Sequence, residues 1–291
     1  AWASTTTGSI LIQSAQLESG LVATDYLNST SITAKAGVLI DLPRINYDAN
    51  GENGALLLEP SRQQLFPNSE FFGTDWSKLD TNITTNATTS PEGLQNATKV
   101  ETATGGSSSN INDIIYKAAN TDYTFSVFAK AGSVNRVIVG QQMTGIYSNN
   151  IFDFSTGNWE VTGSGSPTLD KQDLGNGWWR LSVTMNSGAS SANYQCWIGP
   201  IDNDGTTSND TTAGNNIYVF GAQLEAGSYV SSYIPNHGTS GGVTRAADTC
   251  SGGGSAESIN SVEGVLYAEV SALADDEINR HITLWDGTDT N

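Results

Sequence analysis

Basic side chains are scarce in this 291-residue chain, which has 12 Lys plus Arg residues against 30 Asp plus Glu and a formal net charge of −18. No run of Lys or Arg occurs along it. A phosphate backbone or an anionic lipid surface would therefore be repelled rather than attracted. We expect no nucleic-acid partner and no binding to anionic membranes.

Long apolar runs are also absent. The densest short run is GALLLEP at residues 54–60, far below the roughly 18 residues that a membrane helix needs. The first residues, AWASTTTG, have neither the basic start nor the apolar core of a signal peptide. We therefore predict no membrane insertion, and we expect a processed chain or a part of a longer protein.

Cysteine and histidine are rare as well. Cys196 and Cys250 lie far apart and belong to no CxxC or Cys/His cluster, so no disulfide framework or zinc site is indicated. Only His237 and His281 could serve as a catalytic base, and neither sits in a pattern that supports a Ser-His-Asp triad. The closest carboxylate clusters, at 202–204 and 275–277, fall in turn-like sequence, where acidic residues are usually solvated. The sequence predicts that the chain is not an enzyme.

Serine, threonine, asparagine and glycine supply the polarity instead. Charged residues make up 14% of the chain, whereas a typical soluble domain has roughly 25%. This composition is typical of an all-β extracellular or virion protein.

Alternating apolar and polar residues predict β-strands. In YTFSVFAKAG (123–132) and WRLSVTMNS (179–187), every second residue belongs to an apolar set, which is the period of a half-buried strand. NIYVFGAQL (216–224) is apolar on both faces, as a strand covered on both sides should be. Clusters of Gly, Asn, Ser and Asp separate these runs and favour turns. No sustained helical period occurs, so we predict an all-β fold class of jelly-roll-like β-sandwiches.

An internal repeat sets the predicted domain boundaries. Residues 9–27, SILIQSAQLESGLVATDYL, match residues 216–234, NIYVFGAQLEAGSYVSSYI, about 207 positions later. A spacing this long indicates tandem domains, because solenoid repeats are roughly 20–50 residues long. We predict the closing strand of one sandwich and a connector in 1–45, a complete sandwich in 46–250, and a linker with the first strands of another sandwich in 251–291. Leu17 and Leu224 are equivalent in the repeat, and both should be buried.

The last segment looks incomplete as a sheet. Residues 263–291 predict two or three strands with no second layer to cover them. We expect a longer chain or another subunit to complete that sheet.

Several short motifs occur in an order that resembles a known family. The motifs are PRINYDANGENGALLLEPSRQQLFPNSEFFGTDW (43–76), YTFSVFAKAG (123–132), DLGNGWWRLSV (173–183), IYVFGAQLEAGSYVSSYIP (217–235) and VTRAAD (243–248). Together they resemble the carbohydrate-binding-module-like β-sandwich that recurs in tail-fibre and other virion proteins of tailed phages. VEGVLYAEVSAL (262–273) resembles the opening strands of the concanavalin-like, or laminin-G-like, sandwich that commonly follows it.

The resemblance implies a structural or adhesive component of a virion tail fibre or appendage. Its partners would be other virion proteins, a cell-surface glycan and further copies of itself in a homo-oligomer, for which the family implies a trimer. Modules of this kind also occur in secreted polysaccharide-degrading enzymes, so a non-catalytic carbohydrate-binding module of such an enzyme is the alternative. The expected location is the virion, or the extracellular space under the alternative.

Tryptophans are the candidate sugar contacts, because flat apolar rings stack on sugars. Side chains alternate along a strand, so Trp178 and Trp179 must point to opposite faces. If Trp179 is in the inward set, Trp178 and Arg180 share the other face and could contact a glycan. The same face could instead pack against a neighbouring domain or subunit.

Calcium is the one cofactor that the sequence suggests. The segment DNDGTTSND (202–210) gathers oxygen ligands around a glycine, and Asp202 and Asp204 are its candidate metal ligands. It lacks the spacing of an EF-hand loop and the closing Glu. An Asx-rich hairpin loop without metal is the favoured alternative.

Overall fold

The computed structural model describes residues 45–47, 52, 54–73, 75–105, 108–143, 146–204, 210–249, 265 and 267–272. These ranges contain β-strands and no helix, which confirms the predicted all-β fold class. In chain order the strands are β1 (Ile45–Asn46), β2 (Ala55–Leu56), β3 (Arg62–Gln64), β4 (Ser77–Leu79), β5 (Thr81–Thr88), β6 (Ala97–Thr102), β7 (Asn110–Lys117), β8 (Asp122–Ala131), β9 (Arg136–Met143), β10 (Ile146–Asp153), β11 (Asn158–Val161), β12 (Thr168–Asp173), β13 (Trp178–Asn186), β14 (Ala192–Ile201), β15 (Asn216–Ala226) and β16 (Val243–Arg245). A helix able to cross a membrane is accordingly not found in this part of the chain.

Most of the strands form two antiparallel six-stranded sheets. Sheet I has the order β11-β10-β9-β14-β7-β4, and sheet II has the order β12-β13-β8-β15-β6-β5. Many neighbours are far apart in the chain: β14, for example, lies between β7 and β9. Two short pairs, β1–β2 and β3–β16, accompany the sheets, and the second pairs residues 62–64 with residues 243–245.

The two sheets pack face to face through one apolar core. Sheet II contributes Phe125, Val127 and Leu181, and sheet I contributes Val139 and Phe152, all of them buried. The inward side chains of β8 and β13 belong to the apolar sets that the alternation predicted. The predicted β-sandwich is therefore confirmed.

Strand β15 lies inside sheet II and is buried on both faces, as its apolar sequence predicted. Leu224 packs in the core between the sheets, which confirms its predicted burial. On the opposite face, the ring of Phe220 packs against Tyr233, with centroids 5.8 Å apart. A bulge in β15 gives Gly221 a φ of +57°, and a Cβ there would lie 2.7 Å from the Phe128 ring. The bulge therefore favours glycine at position 221.

The repeated motif also forms a buried hydrogen-bond network. Gln223 Oε1 accepts a hydrogen bond from the Ile234 N–H at 2.7 Å, and Gln223 Nε2 donates to Glu225 Oε1 at 2.7 Å. Ser231 donates to the Glu225 carboxylate through its N–H at 2.9 Å and its hydroxyl at 2.6 Å. Arg62 Nε lies 3.5 Å from Glu225 Oε2. This network holds the segment that follows β15 against the outer face of sheet II.

Several sequence predictions concern residues outside the described ranges. They include the N-terminal copy of the repeat with Leu17, and Cys250. The boundaries 1–45, 46–250 and 251–291 stay predictions. Cys196 lies within the described part, as a free thiol buried in the core, and burial raises its pKa well above the usual value.

Candidate functional site

Trp178 and Arg180 share the outer face of sheet II, as the alternation of β13 predicted, and Trp178 is almost entirely buried there. Only 3% of its surface is exposed. It packs in a cluster with Phe128 and Phe220, and its indole N–H donates to the Thr89 carbonyl at 3.0 Å. The aromatic cluster and the loop after β5 enclose the ring. Trp178 is therefore enclosed in this structure, and contact between its ring and a glycan stays a prediction.

Arg180 is held against the sheet. Its guanidinium lies over the Phe128 ring at 5.1 Å from the centroid, and Nη2 donates to Ser126 Oγ at 3.3 Å. Burial lowers the pKa of Arg180 to about 10, although the Glu225 carboxylate opposes the shift. The side chain remains a cation at neutral pH. Glycan binding by Trp178 and Arg180 stays a prediction, without the stacking geometry that motivated it.

Asp202 and Asp204 follow β14, in a connection whose residues 205–209 lie outside the described ranges. The Asp202 carboxylate accepts a hydrogen bond from Thr212 Oγ1 at 2.6 Å. The nearby Asp210 carboxylate accepts one from the Thr212 N–H at 2.6 Å, and burial raises the pKa of Asp210. Such local bonds are those of an Asx-rich loop. No group of His, Cys, Asp and Glu side chains in the described part could hold a metal ion, and calcium binding at Asp202 and Asp204 stays a prediction.

A different surface, the outer face of sheet I, brings amide and aromatic side chains together. Strand pairing arranges them in rows across the sheet. One row contains Ser77, Asn112, Trp197, Gly140 and Asn149; the next contains Ile114, Gln195, Gln142 and Tyr147; the third contains Tyr116 and Asn193. We define the amide face as Asn112, Tyr116, Gln142, Tyr147, Asn149, Asn193, Gln195 and Trp197.

Trp197 forms the floor of the amide face at one end. It pairs with Gly140 across the strands, and a Cβ at Gly140 would overlap the indole ring. Glycine therefore allows the ring to lie directly over the neighbouring strand. The ring packs with Ile138 and Ile151, both fully buried, on the outer side of sheet I. This cluster gives the face a rigid apolar base.

A chain of amide hydrogen bonds orients the polar groups beside Trp197. Gln195 Nε2 donates to Asn112 Oδ1 at 2.9 Å, and Asn112 Nδ2 donates to Asn110 Oδ1 at 3.1 Å. Because each amide donates in the same direction, Gln195 Oε1 is left at the start of the chain as an acceptor. The face therefore presents a fixed acceptor rather than a freely rotating amide.

The remaining amides and the two tyrosines are available for contact. Gln142, Asn149 and Asn193 make no side-chain hydrogen bond with the described part of the chain. Tyr116 and Tyr147 are 69% and 61% exposed. Three strand spacings of about 4.8 Å separate their strands, so the rings stand roughly 14 Å or more apart. The face thus offers a ring near each end and hydrogen-bonding groups between them.

The amide face itself carries no charged side chain. On the same side of sheet I, Arg136 and Asp153 lie at the opposite end of β9 and β10, where they pair across the strands. Arg136 Nε bonds Glu160 Oε2 at 2.7 Å. Because these charged side chains lie away from the amide face, the face is suited to a neutral polar ligand.

Sequence reasoning missed the amide face, although part of the pattern can be seen in the sequence. In ANYQCWIGPI (192–201), the outward residues Asn193, Gln195 and Trp197 alternate with buried Tyr194 and Cys196. Amides at every second position of a strand are a signal that could have identified the outward set. Their assembly with β9 and β10 follows only from the pairing of strands.

No family model matches the chain, and no curated protein matches it. Among solved structures, it is similar to the enzymatically active domain of tailspike protein 4 of bacteriophage CBA120, with 10% identity over 56% of this chain and 21% of that one, at a TM-score of 0.35. The CBM22-1–GH10 modules of Clostridium thermocellum endo-1,4-β-D-xylanase 10B, complexed with xylohexaose, are 13% identical over 60% of this chain and 30% of that one, at a TM-score of 0.34. The mannan-recognising module TmCBM27 is 9% identical over 58% of this chain and 97% of its own, at a TM-score of 0.30. This chain therefore spans less than a third of the first two proteins, and a proposal about its function rests on its own side chains.

Proposed function

We propose that the sandwich binds a glycan across the amide face and does not catalyse its conversion. The amide face is the observation that carries this proposal: amides without a side-chain hydrogen bond to any described residue lie near two exposed tyrosine rings and beside Trp197. It has no carboxylate or histidine that could act as an acid or a base.

The chemistry of the amide face matches that of a neutral sugar. Each amide offers both donors and acceptors, and sugar hydroxyls also donate and accept. Tyrosine rings provide apolar surface for the C–H faces of a pyranose ring. Because Tyr116 and Tyr147 stand several sugar widths apart, the ligand would be an extended oligosaccharide rather than a single sugar.

The first experiment compares glycan binding by the wild-type chain and two tyrosine variants. A glycan array identifies the ligand, and isothermal titration calorimetry gives its Kd for Tyr116→Ala and Tyr147→Ala. We expect each variant to bind roughly tenfold more weakly, which is about 1.4 kcal/mol for the lost stacking surface. Tyr47→Ala is the matched control, because Tyr47 is also exposed but lies beside β1, outside sheet I.

Thermal unfolding of each variant separates binding from folding. Both tyrosines are exposed, so their removal should leave the melting temperature close to that of the wild type. If folded Tyr116→Ala and Tyr147→Ala variants both bind as tightly as the wild type, the ligand does not lie on the amide face.

We further propose that the module belongs to an adhesive virion appendage assembled as a homo-oligomer. The order of its sequence motifs supports this setting. The alternative is a non-catalytic module of a secreted polysaccharide-degrading enzyme. Mass spectrometry of purified virus particles and of culture supernatant distinguishes the two: we expect peptides of this chain in the particles, whereas their presence only in the supernatant, on a chain with a hydrolase or lyase domain, would favour the alternative.

A further inference from the structure

An open pocket of about 480 Å³ lies on the other side of the sandwich, at the outer face of sheet II. It is formed between the loop that joins β5 to β6 and the turn that joins β12 to β13, and Trp178 lies in its wall. Its volume is in the range of roughly 300–1,000 Å³ that small-ligand sites occupy. The pocket is separate from the amide face.

Among the described residues that line this pocket, Lys130 alone is charged. Its ammonium has no hydrogen bond or ion pair with the described part of the chain. Across the strands its neighbours are Trp178 and Tyr218, neither of which is an anion. The lysine stem runs beside the β12–β13 turn, where a Cβ at Gly177 would lie 3.5 Å from Lys130 Cε. An unneutralised cation in a chain of net charge −18 is a local site for an anion.

Two acidic side chains on the elements that border the pocket have other partners. The Glu92 carboxylate accepts a bond from Asn96 Nδ2 at 3.4 Å, and burial and Glu70 raise the pKa of Glu92. The Asp173 carboxylate accepts the Gly175 N–H at 2.8 Å. Lys130 is therefore left for a ligand.

The rest of the pocket is suited to a sugar ring. The lining includes Thr88 and Ser90, which have hydroxyl side chains, and Asn176, which has an amide. Leu174 and Pro91 contribute apolar surface. These groups could contact the hydroxyls and the C–H face of a pyranose, while the ammonium pairs with a charged substituent. A sugar that carries a carboxylate could therefore contact the polar, apolar and charged parts of this lining.

We propose that the pocket is a second binding site that takes an acidic, carboxylate-bearing sugar, with Lys130 Nζ on the carboxylate. This proposal is independent of the neutral glycan on the amide face. The two sites lie on opposite sheets and select ligands of different charge.

The test measures binding of glucuronate by the full chain with saturation-transfer-difference NMR, and uses glucose as the neutral counterpart. We expect glucuronate to bind more tightly than glucose, and to bind roughly tenfold more weakly to Lys130→Gln, because a charge-assisted hydrogen bond is lost. Lys130→Arg keeps the charge and should retain binding. Lys78→Gln is the control for net charge, because Lys78 is exposed and donates to the Gly73 carbonyl.

Two further measurements make the outcome decisive. Raising the salt from about 0.05 M to 0.3 M should weaken glucuronate binding, since salt screens the interaction. The double variant Tyr116→Ala/Tyr147→Ala should bind glucuronate normally, which separates this proposal from that for the amide face. Equal affinity for glucose and glucuronate, or undiminished glucuronate binding by a folded Lys130→Gln variant, would overturn the inference.

Discussion

Asp113 is an acidic residue on the inner face of sheet I. It pairs with the buried Cys196 across β7 and β14, and its carboxylate accepts the Ile114 N–H at 2.7 Å. Burial raises the pKa of Asp113 from 3.8 to about 6, and the charge of Asp75 adds to the shift. The folded protein therefore disfavours the ionised carboxylate.

This shift predicts how stability depends on pH. A carboxyl whose folded pKa lies above its unfolded pKa contributes stability below about pH 4 that is lost as the pH rises through about 6. Asp113→Asn should remove this loss and raise the free energy of unfolding at pH 7 by about 1–3 kcal/mol. Urea unfolding at several pH values between about 4 and 7 measures it, with the exposed Asp170→Asn as control. If Asp113→Asn loses stability with pH as steeply as the wild type, the explanation fails.

At the residue scale, the sequence predicts which face a side chain occupies more reliably than whether that face is covered. The alternation of β13 correctly placed Trp178 and Arg180 together. It could not predict that Thr89 and Tyr233 cover this side of sheet II, because these residues lie far away in the chain.

At the element scale, the packing of β15 in the core should contribute strongly to the free energy of unfolding. Leu224 is 1% exposed and packs between the sheets. Leu224→Ala should therefore lower the free energy of unfolding by about 2–5 kcal/mol, through lost burial and the cavity left behind. Urea unfolding checks this value, and Leu58→Ala, which truncates a half-exposed leucine, should cost far less. A Leu224→Ala variant as stable as Leu58→Ala would contradict the central position of β15.

The strands themselves could be predicted from local sequence, whereas their neighbours could not. The segments that form β8, β13 and β15 carry their period in consecutive residues. The amide face depends on β7, β14, β9 and β10 lying side by side in a fixed register. That register results from packing between distant segments, so a strand-by-strand interpretation favoured tryptophans and overlooked the rows of amides.

At the scale of the whole molecule, the distribution of charge distinguishes the two sides of the sandwich. The chain carries a net charge of −18, yet the amide face is uncharged, and the pocket on sheet II is lined by a lysine that has no ion pair within the described ranges. Salt should therefore have little effect on a neutral ligand of sheet I and a marked effect on an acidic ligand of sheet II. One small domain could in this way contact two chemically different parts of the same polysaccharide surface.

Assembly would determine how strongly such contacts hold. The resemblance to virion proteins implies a homo-oligomer, for which a trimer is expected, and joined sites can raise avidity by roughly 10²–10⁴ without new contacts. We predict that light scattering on the intact chain gives a mass about three times 30.6 kDa, and that dissociation from a dense glycan surface is much slower than from a sparse one. A mass of one chain, together with a dissociation rate that does not change with glycan density, would contradict the oligomer. Under that result each module would act alone, and only the affinity of its own two faces could retain it on a glycan surface.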